Sequence, residues 1–174
     1  MPLVPMLPST LEISYPAWVA QAVDRERRYE TDEERMGVAV EMARQNVLHE
    51  TGGPFGAAVF EETGRLVAVG MNLVVAHQNC LLHAEVVAFM MAQACVGAYT
   101  PHAENGPRHA LATSCEPCAM CLGATLWSGV SHVLIGAARE DVLSVVFEDV
   151  PVFREAYGYV EARGVKFTGD GLRG

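Results

Sequence analysis

The segment Thr113-Ser114-Cys115-Glu116-Pro117-Cys118-Ala119-Met120-Cys121 places three cysteines within a few positions and decides how the rest of the chain is interpreted. Upstream of it, His83-Ala84-Glu85 supplies a histidine and a glutamate two positions apart. One histidine, two cysteines spaced by three and a nearby carboxylate are the components of a zinc site that acts on water. We therefore predict that His83, Cys118 and Cys121 are metal ligands.

The spacing of these residues also predicts a geometry. Proline tolerates the first position of a helix, so a helix is expected to begin at Pro117 and to carry Cys118 and Cys121 on one face of its first turn. His83 and Glu85 are about 200° apart around a helix and reach one centre only if their helix meets the metal end-on. The pattern predicts two helix N-termini that converge on one zinc ion.

Three protein ligands leave the fourth tetrahedral position open, which distinguishes a catalytic zinc site from a structural one. Two thiolates neutralise the charge of the metal, so a neighbouring base is needed, and Glu85 is the candidate for this general acid and base. Two alternatives are a closed structural site completed by Cys115 and a redox-active cysteine pair. Cys115 falls outside the predicted helix, and a redox pair leaves the histidine and the glutamate unexplained.

Composition narrows the class of protein. The chain has 174 residues with 51% hydrophobic content, enough for one core, and its formal net charge of −9 argues against a large nucleic-acid surface. A small uncharged substrate fits better. Five cysteines form no regular disulfide framework and suit metal ligation in the reducing cytoplasm. No signal peptide and no membrane-spanning run are recognised, so no membrane partner is expected.

Periodicity and turn residues predict the secondary structure. Thr31 and Glu34 form a capping box that begins a helix extending to about residue 49. Strands are predicted over 55–60, 66–72, 109–113, 133–136 and 164–168, with the first two antiparallel, and further helices over 83–93, 117–127 and 139–146. Strands that alternate with helices indicate an α/β sandwich.

Residues 1–30 are predicted to form an N-terminal arm, followed by one domain over 31–174. Prolines at positions 2, 5 and 8 favour an extended start. Tyr15 and Trp18 either anchor the arm, on the domain or on a second subunit, or belong to a plain surface-packed segment. The arginines at positions 25, 27 and 28 have acidic neighbours, which favours a solvated helix face over a nucleic-acid patch.

His83-Ala84-Glu85 and Pro117-Cys118-Ala119-Met120-Cys121 match the histidine-x-glutamate and proline-cysteine-x-x-cysteine signature of zinc-dependent deaminases. From about residue 33 to residue 168 the chain resembles the cytidine/deoxycytidylate deaminase superfamily. The resemblance implies a three-layer α/β/α sandwich with a central five-stranded mixed sheet and a homodimer or larger assembly. It also implies hydrolytic replacement of an exocyclic amine by oxygen, with release of ammonia.

Within that superfamily the chain is similar to bacterial guanine deaminases, in residues 52–57, 113–118 and 122–124 and in Trp127. The similarity implies a free nucleobase-like substrate, guanine first and an aminotriazine such as ammeline next. Deamination of cytosine, cytidine or transfer-RNA adenosine is the alternative, and acidity argues against the last of these. A non-enzymatic binding module stabilised by zinc on the same scaffold also stays open.

The resemblance assigns further residues to the pocket. Asn72, whose amide carries both donors and an acceptor, would contact the base, and Trp127 would help shape the pocket. A second carboxylate would come from Asp141 or from Phe147-Glu148-Asp149 and would bind the substrate or shuttle a proton. The full prediction comprises the catalytic residues Glu85, Asp141 and Asp149 and the substrate-binding residues Asn72, Ala84, Ser114, Trp127 and Glu148.

Overall fold

A five-stranded sheet forms the middle of the computed structural model, which describes residues 8–100, 106–143 and 155–169. Its strands are β1 (Gly56–Glu61), β2 (Leu66–Met71), β3 (His109–Cys115), β4 (His132–Ala137) and β5 (Lys166–Gly169). They lie side by side in the order β2-β1-β3-β4-β5. β1 runs antiparallel to β2 and β3, whereas β4 is parallel to β3 and β5. The mixed sheet and its antiparallel first pair are confirmed.

Helices cover both faces of this sheet. They are α1 (Val19–Ala22), α2 (Asp32–Leu48), α3 (Val74–His77), α4 (Ala84–Val96), α5 (Ala119–Ser128), α6 (Arg139–Leu143) and α7 (Glu155–Glu161). One buried cluster joins α1 and α2 to the sheet, and a second joins α4, α5 and α7 to its other face. The three-layer α/β/α sandwich is therefore confirmed. None of the helices in the described ranges has the length and apolarity needed to cross a bilayer.

The alternation of strand side chains explains why two clusters form. Ala58 and Phe60 of β1 belong to the cluster under α2, whereas Ala57 and Val59 belong to the cluster under α4. Successive residues of a strand point to opposite faces, so a strand buried on both sides reads as a continuous apolar run. The same alternation in β3 places Leu111 in the cluster under α4 and Ala112 in the cluster under α2.

The capping box predicted for α2 is present. The Thr31 hydroxyl accepts a hydrogen bond from the Glu34 amide at 3.2 Å, and the Glu34 carboxylate accepts one from the Thr31 amide at 3.2 Å. These bonds satisfy two amides that the helix start would otherwise leave unpaired. The helix ends at Leu48, close to the predicted residue 49.

Two glycines let helices lie directly on the strands. A Cβ atom at Gly56 would fall 2.1 Å from the carbonyl oxygen of Ala39 in α2. A Cβ atom at Gly70 would fall 2.0 Å from the carbonyl oxygen of Ala84 in α4. Gly70 therefore sets the distance from the sheet to the helix end that carries the predicted histidine ligand.

The arm packs on the domain of its own chain where the structure describes it. The Tyr15 hydroxyl donates to the Val69 carbonyl at 2.7 Å and accepts from the Val69 amide at 3.3 Å. These bonds occupy the open edge of β2, the outermost strand. Trp18 and Tyr29 belong to the core under α2. The division of the chain at residue 30 stays a prediction.

The helix that follows β3 begins later than expected. Pro117 is not its first residue, because Cys118 has an extended backbone, with φ −70° and ψ 170°, and is the N-cap of a helix that begins at Ala119. The carbonyl oxygen of Cys118 accepts the first helical bond, from the Leu122 amide at 2.8 Å. The N-cap conformation lets the chain turn out of the strand while it satisfies that amide.

Other differences concern short or displaced elements. The helices α1 and α3 have four residues each and α7 has seven, too few for a periodic pattern in the sequence. The last strand lies at 166–169 rather than 164–168. The predicted helix 139–146 is described only as far as residue 143, so its last three residues lie outside the described ranges.

The close approach of α2 to β1 predicts opposite effects for two alanine substitutions. Gly56→Ala should lower the free energy of unfolding by about 1–3 kcal/mol, because its methyl group has no space. Gly37→Ala should raise it by about 0.5–1 kcal/mol, because Gly37 is exposed in α2 and a methyl group there would meet no atom within 4 Å. Urea denaturation followed by circular dichroism measures both. Equal effects of the two substitutions would contradict the packing described for Gly56.

Candidate active site

His83 lies at the junction between the loop that follows α3 and the helix α4. It is the N-cap of that helix, with an extended backbone at φ −67° and ψ 157°. The preceding Leu82 is 1% exposed, and its carbonyl accepts a hydrogen bond from the Leu73 amide at 2.9 Å. The imidazole is thereby held where the first turn of α4 points toward the start of α5.

The three predicted ligands meet. Nδ1 of His83 is 3.6 Å from Sγ of Cys118 and 3.6 Å from Sγ of Cys121. A tetrahedral zinc ion with a Zn–N bond of about 2.0–2.1 Å and a Zn–S bond of about 2.3 Å separates nitrogen and sulfur ligands by about 3.6 Å. The three ligand atoms lie within 4.8 Å of one another, so the donor set fits zinc in both chemistry and spacing.

Two helix N-termini supply these ligands, as predicted. His83 is the N-cap of α4, Cys118 is the N-cap of α5, and Cys121 lies in the first turn of α5. Neither N-cap makes a side-chain hydrogen bond to its own helix. The positive ends of the two helices favour thiolate at the sulfur atoms.

The thiols and the imidazole are electrostatically coupled. The hydrogen bond from the Cys121 thiol, with the neighbouring His83 ring, holds the pKa of Cys118 at about 4. The hydrogen bond to Cys118 raises the pKa of His83. Cys118 is therefore a thiolate at neutral pH, the form that binds metal.

Glu85 is buried beside the ligands, at 7% exposure. It is the second residue of α4, and its Oε2 lies 3.3 Å from Sγ of Cys121. Burial raises the pKa of its carboxyl above the usual range. A carboxyl whose pKa is raised holds a proton more readily than an exposed one, which suits a group that takes up and returns a proton during a reaction.

Cys115 does not join the ligand group. The structure brings together His83, Cys118 and Cys121. Burial raises the pKa of Cys115 to about 12, so this cysteine is a neutral thiol at neutral pH. The arrangement favours three protein ligands and an open fourth position over the closed site with a third cysteine.

A cavity of about 420 Å³ opens beside these groups. This volume suits a single small ligand. The predicted Asn72, His83, Ala84, Glu85 and Cys118 all line it. The remaining lining residues are Gly53, Phe55, Val74, Val75, Thr113, Cys115, Glu116, Arg139 and Val142.

Asn72 follows β2 directly and forms one wall of the cavity. Its Oδ1 accepts a hydrogen bond from the Val74 amide at 3.2 Å, and its backbone amide donates to the Phe55 carbonyl at 3.1 Å. The first bond fixes the plane of the side-chain amide. The two N–H groups of that side chain are then the part that can donate to a ligand.

Several predicted pocket residues lie elsewhere. The Ser114 hydroxyl accepts a hydrogen bond from the Gly56 amide at 3.0 Å and is not among the cavity residues. Trp127 is 83% exposed and lines a different depression on the outside of α5. Asp141 is exposed on α6. Glu148 and Asp149 lie outside the described residues, so their roles stay predictions.

Glu116 was missed as a pocket residue, although it lies inside the cysteine motif. Its Oε2 accepts a hydrogen bond from the Arg139 amide at 3.1 Å, and its Oε1 accepts one from the Tyr157 hydroxyl at 2.8 Å. The carboxylate thus fastens α6 and α7 to the segment that carries the metal ligands. Its position directly before Pro117, inside the metal-ligand motif, could have identified Glu116 as a pocket residue. Nothing in the local sequence pattern identifies Arg139, which also lines the cavity.

Comparison with known proteins decides the family. Residues 29–137 match the family model of the cytidine and deoxycytidylate deaminase zinc-binding region. The chain belongs to this deaminase family. It is therefore a hydrolytic deaminase, and the zinc predicted from the ligand pattern is confirmed.

Similar proteins cover most of the deaminase chain. A guanine deaminase of Bacillus subtilis is 36% identical over 129 residues, which are 74% of this chain and 79% of that protein. The solved guanine deaminase of Nitrosomonas europaea has a TM-score of 0.87 and 38% identity, with 97% of this chain and 93% of that chain covered. Another similar structure is that of a mutant protein in complex with 8-azaguanine. It has a TM-score of 0.87 and 37% identity, with 97% of this chain and 92% of that chain covered.

The ligand geometry predicts how cysteine substitutions change the zinc content. Cys118→Ser should lose the metal, because one of three protein ligands is removed. Cys115→Ser is the matched control and should retain one zinc per chain. Native mass spectrometry and elemental analysis measure the stoichiometry. Loss of zinc from Cys115→Ser would instead support the closed site with four protein ligands.

Proposed function

We propose that this deaminase converts guanine to xanthine and releases ammonia. The observation that carries the proposal is the buried Glu85, which lies beside the three-ligand group at the same cavity that Asn72 lines. Support comes from the similar guanine deaminases and from the related structure that binds 8-azaguanine, a close analogue of guanine in size and shape.

His83, Cys118 and Cys121 would hold the zinc ion, which supplies a Lewis acid that makes water nucleophilic at neutral pH. The Glu85 carboxylate would accept the proton of the attacking water as the carbon–oxygen bond forms at the amine-bearing carbon. Glu85 would pass this proton to the adjacent ring nitrogen. It would then carry the second water proton to the amine, which leaves as ammonia when the carbon–nitrogen bond breaks.

The cavity walls would orient the base. Asn72 has two N–H donors available for the acceptor atoms on the edge of a purine. Ala84 is the first residue of α4, where backbone amides have no intrahelical acceptor and can donate to a bound group. Phe55 offers apolar surface to a ring face. These contacts favour a planar molecule with hydrogen-bond acceptors on its edge.

A second carboxylate is proposed to act beside Glu85. The resemblance proposes Asp141, Glu148 or Asp149 for hydrogen bonding to the substrate and for proton transfer. Asp141 is exposed and is not among the residues that line the cavity. Glu116 is a further carboxylate that does line it. The variants Asp141→Asn, Glu148→Gln and Asp149→Asn identify this carboxylate. The variant that removes it should lose kcat/KM while it retains zinc.

We also propose a cytoplasmic homodimer. None of the five cysteines, all of which lie in the described ranges, forms a disulfide, which suits a reducing compartment. The exposed aromatic side chains Tyr99, Trp127 and Tyr159 line one depression outside the metal site and offer surface for a second subunit. Light scattering measures the molar mass, and Trp127→Ala assayed for both mass and KM tests its predicted part in shaping the pocket.

Substitution of the proposed base provides the decisive test. Glu85→Gln should retain zinc and fold but lose at least about 10²-fold in kcat, because a general base is removed. An ammonia-coupled assay with guanine measures the rate. Glu33→Gln, on the exposed start of α2, is the control and should keep the wild-type rate. A Glu85→Gln protein with unchanged properties would favour the non-enzymatic binding module.

A substrate panel tests the choice of base. Zinc-loaded protein should show its highest kcat/KM with guanine, because the chain is similar to guanine deaminases, and ammeline should follow as the resemblance implies. Cytosine, cytidine and transfer-RNA adenosine are the comparison substrates. Faster turnover of any of these would reassign the substrate, and a protein inert to every one of them would refute the proposal.

A further inference from the structure

Asn46 is a fully buried polar residue behind the wall of the active-site cavity. It lies in α2, and its Nδ2 donates two hydrogen bonds of 2.9 Å, to the carbonyl oxygens of Gly53 and Asn72. Both acceptors belong to residues that line the cavity. Two carbonyl acceptors on one side fix which end of the Asn46 amide carries the NH₂ group.

Thr51 connects Asn46 to the N-terminal arm. Its hydroxyl donates to Oδ1 of Asn46 at 2.7 Å and accepts from the indole N–H of Trp18 at 3.0 Å. Trp18 is 8% exposed and stacks on His49, with ring centroids 5.6 Å apart. The hydrogen bonds therefore form a continuous series from the arm to the cavity wall. Trp18 donates to Thr51, Thr51 donates to Asn46, and Asn46 donates to Asn72.

Gly52 packs closely against both Asn46 and Asn72. A Cβ atom at Gly52 would fall 1.9 Å from the carbonyl oxygen of Asn72 and 2.7 Å from Nδ2 of Asn46. The backbone carbonyl of Asn72 is thus fixed by Asn46, and its side-chain oxygen is fixed by the Val74 amide. Both ends of the residue are restrained, which leaves little freedom for its NH₂ group.

We propose that Trp18, Thr51 and Asn46 are positioning residues, which hold Asn72 in the orientation that binds the substrate. The proposal rests on the proposed function, because it assigns the affinity for the base to Asn72. A restrained donor binds more tightly than a mobile one, since less rotational freedom is lost on binding. The arm is then part of the substrate site without contacting the substrate.

A pair of substitutions at Thr51 separates positioning from general stability. Thr51→Val keeps the shape of the side chain and removes the hydroxyl, whereas Thr51→Ser keeps the hydroxyl. Thr51→Val should raise KM for guanine by about 3- to 10-fold, with kcat within about twofold and one zinc per chain, on the scale of one lost hydrogen bond. Thr51→Ser should restore the wild-type KM.

Trp18→Phe tests the outer end of the chain of bonds. It retains an aromatic ring against His49 but removes the indole donor, so it should raise KM in the same direction and by a smaller factor. An unchanged KM in Thr51→Val, or a loss of kcat and zinc in proportion to the change in KM, would overturn the proposal. The second outcome would mean that Thr51 supports the fold alone.

Amide hydrogen exchange gives a measurement that needs no substrate. The Val74 amide bonds Oδ1 of Asn72, so its exchange rate reports whether that side chain stays in place. Thr51→Val should accelerate exchange at Val74 by about tenfold relative to wild type, while amides of β3 keep their rates. Equal rates at Val74 would refute the positioning chain. If guanine is not a substrate, the proposed function fails, and this measurement still decides the role of Thr51.

Discussion

The structure depends on one geometric constraint, the meeting of two helix ends at a distance that a single metal ion can bridge. Nδ1 of His83 comes from the start of α4, and the two sulfur atoms come from the start of α5. Both helices must lie close to the sheet and point their N-termini at the same place. Gly70 permits this for α4, because any larger residue would displace the helix from β2.

The same constraint explains the distribution of burial around the site. Glu85 follows the histidine by two residues, so an end-on helix places its carboxyl next to the ligands and away from water. Burial raises the pKa of this carboxyl, which suits a group that must both accept and release a proton. Glu116 adds a second layer, since its bonds to Arg139 and Tyr157 hold the outer helices against the ligand segment.

The metal site was largely predictable because the spacing of its histidine, glutamate and cysteines is local. Pro117 shows the limit: its fixed φ suits a helix start, but the turn out of β3 moves that start to Ala119. The resemblance implied five strands in a mixed sheet, but the strand order was not predicted, because local periodicity carries no information on strand neighbours. The pocket walls come from distant segments, so Asn72 was identified by its chemistry, whereas the bond from Asn46 to the Asn72 carbonyl joins residues far apart in the sequence and no local pattern indicates it. Trp127 was assigned to the pocket by resemblance alone, and it lines a different depression, outside the cavity.

The N-caps of α4 and α5 have a wider consequence. In most helices the N-cap side chain turns back to satisfy the first amides, but His83 and Cys118 direct their side chains to the metal site and make no such bond. Metal binding at these two N-caps would join the starts of both helices, so zinc binding is linked to the stability of their first turns.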